Sequence, residues 1–207
     1  MPRKSAFRKT KRISRKFTVK SQRKTPVSKK PSHPLYLKSL AILTPEEIEQ
    51  LARITSDLET MKWIGKGVIW SQADIVEFRN DERRERGLPH NRRKHYTYVM
   101  MLGPQIIGFI EGRKSIYDKI SGNDLLLRIF ISRDYTGRGY GKMIIKLFLE
   151  LYTRMVKPRS PDKITIYSDI NSNNMASIKI HLANGFELIK TTKYPNGKIT
   201  NRYRKII

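Results

Sequence analysis

The stretch that most restricts the fold of this 207-residue chain runs from Asp124 to Met155. Asp124–Ser132 is an apolar run of strand length. Lys142–Met155 sets Ile144, Ile145, Phe148, Leu151, Tyr152 and Met155 on one helical face. Between them stands Thr136-Gly137-Arg138-Gly139-Tyr140-Gly141, with glycines at alternate positions. Such glycines allow a tight turn and leave the backbone accessible. The first N–H groups of the following helix have no intrahelical partner, and the helix dipole adds positive potential there. Together they form an anion site suited to a pyrophosphate, to which Arg138 and Lys142 add charge. The spacing G-x-G-x-G-K is neither the G-x-G-x-x-G of dinucleotide folds nor the phosphate loop G-x-x-x-x-G-K-[ST]. A turn whose glycines serve packing alone is the competing reading.

The rest of residues 35–207 surrounds this unit with alternating elements. Leu35–Leu40 alternates like a strand. Thr44-Pro45-Glu46-Glu47 carries a cap, a proline at the first helical position and a Glu three residues after the cap. Ile48, Leu51, Ala52, Thr55 and Leu58 then form one face. Ser71-Gln72-Ala73-Asp74 opens a second helix, with Ile75 and Phe78 inward, a charged end at Asp81–Arg86 and a stop at Gly87-Leu88-Pro89. Strands are expected at His95–Leu102, Gln105–Glu111, Asp124–Ser132, Ile164–Asp169, Phe186–Lys190 and Ile199–Lys205, with a short helix at Asn174–Ala183. The last two strands flank the turn Pro195-Asn196-Gly197. Loops are expected at 90–94 and 114–123. This order predicts an α/β (α+β) domain: a mixed sheet with helices on both faces.

A second stretch bears on the same chemistry: Asn174-Met175-Ala176-Ser177, continuing to Gly185-Phe186. The glycine turn resembles motif A of the GCN5-related N-acetyltransferase superfamily, a strand followed by [QR]-x-x-G-x-[GA]. The second stretch resembles that family's other acetyl-CoA motif, N-x-x-[AS] continuing to G-F. It is nearest the branch of ribosomal-protein alanine acetyltransferases. Thr136 stands where the family usually has Gln or Arg.

The resemblance implies a mostly antiparallel sheet of six to seven strands with about four helices, and acetyl-CoA as cosubstrate. It implies that Phe130, Ile131 and Arg133 pair with the pantetheine arm through their backbone. The turn residues Gly137, Arg138, Gly139, Tyr140, Gly141 and Lys142 would then hold the pyrophosphate. Asn174 would bond the cofactor arm with help from Ser177, unless it serves only as a helix cap. The family often uses a Tyr, four residues before the Gly of G-F, to protonate the leaving thiolate. Here that position is His181, which can also be a packing histidine. Glu111 and Asp169 are the candidate bases, each with a solvated strand-end role as the alternative. The acceptor pocket would come from residues 63–87, loop 112–123 and the final hairpin, with Tyr194 and Tyr203 as candidate lining or as packing residues. Because Thr136 and His181 both depart from the commoner family residues, an inactive acetyltransferase-like structural or packaging protein is the alternative function.

Charge sets expectations about partners. The chain carries a formal net charge of +25. Residues 1–34 hold 13 Lys or Arg and no acid, and the remainder still carries +12. The first segment reads as a disordered basic tail. It is expected to bind nucleic acid or another polyanion through counterion release, against the reading of a merely solvated tail. Its composition overlaps with a mitochondrial transit peptide, but Pro26, Pro31 and Pro34 and its many lysines disfavour that reading. There is no Cys, and the four His show no metal-ligand spacing, so no metal is expected. No apolar run approaches the roughly 18 residues that span a bilayer. An intracellular setting is the expectation, cytoplasmic or nuclear, in association with nucleic acid or a virion. The strong positive charge argues against a polyamine acceptor by repulsion.

Overall fold

A computed structural model describes residues 33–207 apart from 65–66, 91, 115–119, 121 and 157–162. The expected basic tail lies almost wholly outside the described residues. The domain contains strands β1 (Leu35–Ser39), β2 (His95–Leu102), β3 (Gln105–Arg113), β4 (Leu125–Ile131), β5 (Thr165–Asn171), β6 (Glu187–Lys193) and β7 (Ile199–Ile206). Its helices are α1 (Pro45–Thr55), α2 (Leu58–Met61), α3 (Gln72–Arg86), α4 (Tyr140–Val156) and α5 (Met175–Leu182). All seven strands form one sheet in the order β1-β2-β3-β4-β5-β7-β6. Every pairing is antiparallel except β4 with β5.

Local chemistry explains the element ends. Thr44 and Ser71 each close a capping box: the hydroxyl accepts the N–H three residues on, and the carboxylate there accepts the cap N–H. The face of α1 ends at Thr55 rather than continuing to Leu58. Asp57 caps a separate one-turn helix, accepting N–H bonds from Glu59 and Thr60, and this turns Leu58 outward to 65% exposure. Phe78 is half-exposed, although its ring meets Trp70 edge-on.

Two apolar layers cover the sheet, because alternate residues of each strand face opposite ways. Val99, Phe109 and Phe130 pack under α1 and α3 against Leu40, Leu51, Trp70 and Ile75. Their neighbours Tyr98, Met100 and Ile110 face α4, against Ile144, Phe148 and Tyr152. Each large side chain buried in this way contributes about 1.5–3 kcal/mol. These layers hold β4 firmly from both sides, which matters because β4 has a strand neighbour along only part of one edge. It pairs with β3 from Gly108↔Ile131 to Arg113↔Leu126. With β5 it pairs only at Leu125↔Ile166 and Leu126↔Tyr167. Beyond Leu126 the two parallel strands part.

Candidate active site

The parting of β4 and β5 opens the sheet, and two clefts meet in the opening. One, of about 580 Å³, runs from the gap to the glycine turn. Its wall includes Phe130, Ile131, Arg133, Gly137, Gly139, Tyr140, Gly141, Asn174 and Ser177. The other, of about 370 Å³, lies between β4, β5 and the β6–β7 turn, and includes Arg113, Arg128, Asp169, Tyr194 and Lys198. Lys62, Trp63, Ile64, Ile129, Asn174 and Ser177 belong to both. The gap is thus a passage between two chambers. A third hollow, beside Gln50, Arg53 and Asp57, touches neither the glycines nor β5.

The turn is built to expose backbone. Gly137 and Gly139 hold φ of +74° and +84°, and a Cβ on either would meet nothing within 4 Å. The positive φ and the open space together make a concave surface of N–H groups at the start of α4. Gly141 differs: a Cβ there would come within 3.0 Å of Ile180, so this glycine lets α4 lie against α5. The side chains of Arg138 and Lys142 do not line the cleft. Arg138 sits over the Tyr135 ring at 5.4 Å, and Lys142 is exposed on the outer side of the helix. Their expected contribution, mostly through backbone N–H groups with added positive charge, stays one of backbone and long-range potential. The Thr136 hydroxyl donates to the Arg133 carbonyl at 2.9 Å, so it stabilises the turn itself.

The remaining cofactor candidates divide. Phe130 sends its ring into the core, stacked on Phe109 and edge-on to Trp70, and offers the cleft its backbone. The N–H of Arg133 donates to the Thr60 hydroxyl at 3.3 Å, which ties the end of β4 to α2. That bond takes up the backbone donor expected to serve a ligand. Asn174 is a helix cap and a cleft residue at once. Its Oδ1 accepts the Ser177 N–H at 3.1 Å, which leaves the amide N–H₂ available to the passage.

Of the three catalytic candidates, Asp169 and His181 line the acceptor-side cleft and Glu111 lines neither cleft, and each is already engaged. Glu111 is buried on β3, opposite Arg128, with which it forms an ion pair at 2.6 Å. The Arg128 guanidinium also lies 5.0 Å from the Trp70 ring centre. Asp169 holds Arg202 of β7 through two bonds of 2.7 and 2.6 Å. Each of the two candidate bases is thus engaged by a guanidinium, and neither carboxylate stands free of an ion pair. His181 is fully buried, edge-on to Phe186. Its Nδ1–H donates to the Ser177 carbonyl at 2.8 Å, which leaves Nε2 as a bare acceptor. Burial pushes its pKa down to about 4, against the opposing effect of the Ser177 bond. The Nδ1 proton is thus committed to the Ser177 carbonyl, and burial disfavours the imidazolium that donation from Nε2 would need, so the geometry favours the packing reading of His181. Of the two tyrosines read as lining or packing, Tyr203 packs in the core and Tyr194 lines the acceptor-side cleft.

The His181 shift carries a stability prediction. Its folded pKa lies below the unfolded value of 6.5, so the unfolded state binds the extra proton. The neutral ring's contribution is complete above about pH 6.5 and is lost as pH falls towards 4, by roughly 3 kcal/mol in all. Denaturant melts between pH 4 and 7 should show this slope, and His181→Leu should flatten it. An unchanged slope in the variant would reassign the effect.

Sequence reasoning missed α2. The α2 segment walls the cofactor-side cleft through Glu59 and Thr60, with Lys62 at its C-terminal cap. The signal was available in Asp57-Leu58-Glu59-Thr60, an Asx cap set directly after Thr55 and Ser56.

Comparisons with known proteins agree with this geometry. A family model described as an acetyltransferase (GNAT) domain matches residues 39–187. Among the curated proteins none matches. Among solved structures the fold is similar to RimL, a ribosomal L7/L12 alpha-N-protein acetyltransferase in complex with coenzyme A. The TM-score is 0.63 at 16% identity, covering 86% of this chain and 97% of that one. It is also similar to a ribosomal-protein-alanine N-acetyltransferase from Brucella melitensis, with TM-score 0.62 at 17% identity over 83% and 99% of the two chains. AAC(6')-Ib, in complex with ribostamycin and coenzyme A, gives 0.61 at 17% over 83% and 92%. At these identities the structures speak for the fold. The family model speaks for descent, since it spans the glycine turn, the parted strands and α5: the chain belongs to the GNAT acetyltransferase family.

Proposed function

We propose that this acetyltransferase moves the acetyl group of acetyl-CoA onto a primary amine, within the gap between β4 and β5. The observation that carries the proposal is the end of β4–β5 pairing at Leu126, directly upstream of an open glycine turn. The free edge of β4 suits an extended, amide-bearing arm, and the turn suits its diphosphate. Coenzyme A is held by RimL and by AAC(6')-Ib, proteins of the same fold. The Asn174 amide N–H₂ is placed to donate to a carbonyl of the arm.

In the reaction the amine nitrogen forms a bond to the acetyl carbon while the carbon–sulfur bond breaks. Starting from the ammonium, two protons leave nitrogen and one is taken up by the thiolate, so one proton is released to solvent. With Glu111 and Asp169 both ion-paired, these transfers run through water in the acceptor-side cleft. The test is calorimetry with coenzyme A, followed by thiol release from acetyl-CoA with a panel of amines. Absence of coenzyme A binding would sink the proposal.

A second reading is a coenzyme-A-binding domain without turnover. It is favoured by one observation, the engagement of all three candidate proton carriers. It is distinguished by tight coenzyme A binding without thiol release on any amine.

The 13 positive charges of residues 1–34 support a further role, binding of nucleic acid or another polyanion in an intracellular setting. Deleting residues 1–34 is expected to leave turnover on a small amine intact. It should weaken DNA or RNA binding at least tenfold at about 0.1 M salt and flatten its salt dependence. Equal polyanion affinity with and without the segment would refute this assignment.

A further inference from the structure

The acceptor-side cleft differs from the cofactor side in its charge. Of its cations, Lys62 is paired with Glu59 at 2.6 Å and Arg128 with Glu111 at 2.6 Å. Arg113, at the end of β3, and Lys198, at the β6–β7 turn, line the same cleft, and neither has an ion-pair partner among the described residues. The one carboxylate in the wall, Asp169, is neutralised by Arg202. Neither Arg113 nor Lys198 lines the cleft that reaches the glycine turn, so their charges are not part of the diphosphate site. The acceptor chamber therefore presents two uncompensated positive charges and no uncompensated negative one.

We propose that the acceptor is an amine that also carries an anionic group, carboxylate or phosphate, held at this cationic wall by Arg113 or Lys198 while the amine reaches the β4–β5 gap. The inference rests on the transferase reading above and deepens it. An uncompensated cationic wall repels a polycationic acceptor and attracts an anionic one. The same wall disfavours the ammonium form of the bound amine. A nearby like charge lowers an amine's pKa, so a larger fraction is present as the free nucleophile at neutral pH. This gives the site a means of activating its substrate while Glu111 and Asp169 are both occupied. Trp63 and Tyr194, both exposed in the wall, supply flat apolar surface for the remainder of the acceptor.

The test compares matched acceptors with the full chain. Glucosamine 6-phosphate against glucosamine probes phosphate. The peptide Ser-Gly-Asp-Asp against Ser-Gly-Lys-Lys probes carboxylate. At least one anionic member should exceed its counterpart tenfold or more in kcat/KM at low salt, and the advantage should shrink at about 1 M salt, where screening acts within about 3 Å. The Arg113→Gln/Lys198→Gln double variant should lose that tenfold preference, with coenzyme A affinity serving as the folding control. Preference for the cationic or neutral member in both pairs would overturn the proposal, as would an unaltered preference in the double variant. Calorimetric binding of the same acceptors to coenzyme-A-loaded protein gives the comparison independently of turnover. Anionic preference in binding with no thiol release would refute only the transferase reading; equal binding of all acceptors would refute this one.

Discussion

Gly139→Asp is expected to weaken coenzyme A binding by at least about 100-fold while leaving the domain folded. Two effects of different size meet at this position. The residue sits at φ +84°, where an L-residue costs about 1–2 kcal/mol. A side chain there would project into open space rather than into neighbours, so no clash is added. The larger effect is charge. A carboxylate beside a diphosphate at about 4–5 Å, with an effective dielectric constant near 20, costs roughly 3–4 kcal/mol per pair of unit charges. At 1.4 kcal/mol per tenfold, that amounts to two decades or more in affinity. Gly139→Asn separates the two effects, because Asn tolerates positive φ and carries no charge. It should show the same small loss of thermal stability but no more than about a tenfold loss of affinity. Calorimetry with coenzyme A and a thermal melt of both variants check this. If Asp and Asn weaken binding equally, the turn does not face the diphosphate. Gly141 is the poorer place for this test, since Ile180 lies 3.0 Å from its Cβ direction and substitution there would also disturb α4 against α5.

The parts of this site that were legible in the sequence are those encoded by neighbouring residues. The turn needs only Gly137, Gly139, Gly141 and the strand and helix on either side, all within one short segment. Asn174 could be placed because a cap is a local feature, and the structure gives it the cap bond together with a cleft position. What could not be read depends on register. Glu111 looks like a free strand-end acid until β3 is aligned with β4 and Arg128 falls opposite it. Asp169 meets Arg202 only through the β5–β7 pairing, across 33 residues. His181 occupies the expected motif position, but its protonation depends on tertiary burial, which no spacing reveals. Lys198 and Arg113 likewise come to line one cleft only when the sheet order sets β5 and the final hairpin on the far side of β4 from β3. The charges of the acceptor chamber are therefore a property of the sheet order.

Glu82→Ala is expected to cost about 3–5 kcal/mol of stability, for a reason that helical periodicity contains but charge content conceals. The segment Asp81–Arg86 reads as the exposed, charged end of α3. Glu82, however, lies seven residues after the buried Ile75, two helical turns along the same face, and is only 1% exposed. Its Oε1 accepts from Arg93 at 2.6 Å, and the Arg93 guanidinium lies 4.6 Å from the Tyr96 ring centre. Burial pushes the Glu82 carboxyl up, with Arg93 and then Thr97 pulling it down less strongly. Desolvation thus outweighs the attraction, and the pair is not a net source of stability. Removing one partner is a different matter, because it strands a buried guanidinium. For a domain of this size each kcal/mol shifts Tm by about 2–4 °C, so Glu82→Ala should melt roughly 6–20 °C lower. Replacing both partners, Glu82→Leu with Arg93→Met, removes the stranded charge and should recover most of that loss or exceed the parent. Because the pair lies between α3 and β2, away from the passage, coenzyme A affinity below the melting range should be unaltered in both variants. Circular dichroism melts with calorimetry at 20 °C decide it. A single variant within about 1 kcal/mol of the parent, or a double variant no better than the single, would show that Arg93 finds solvent or another partner when Glu82 is gone.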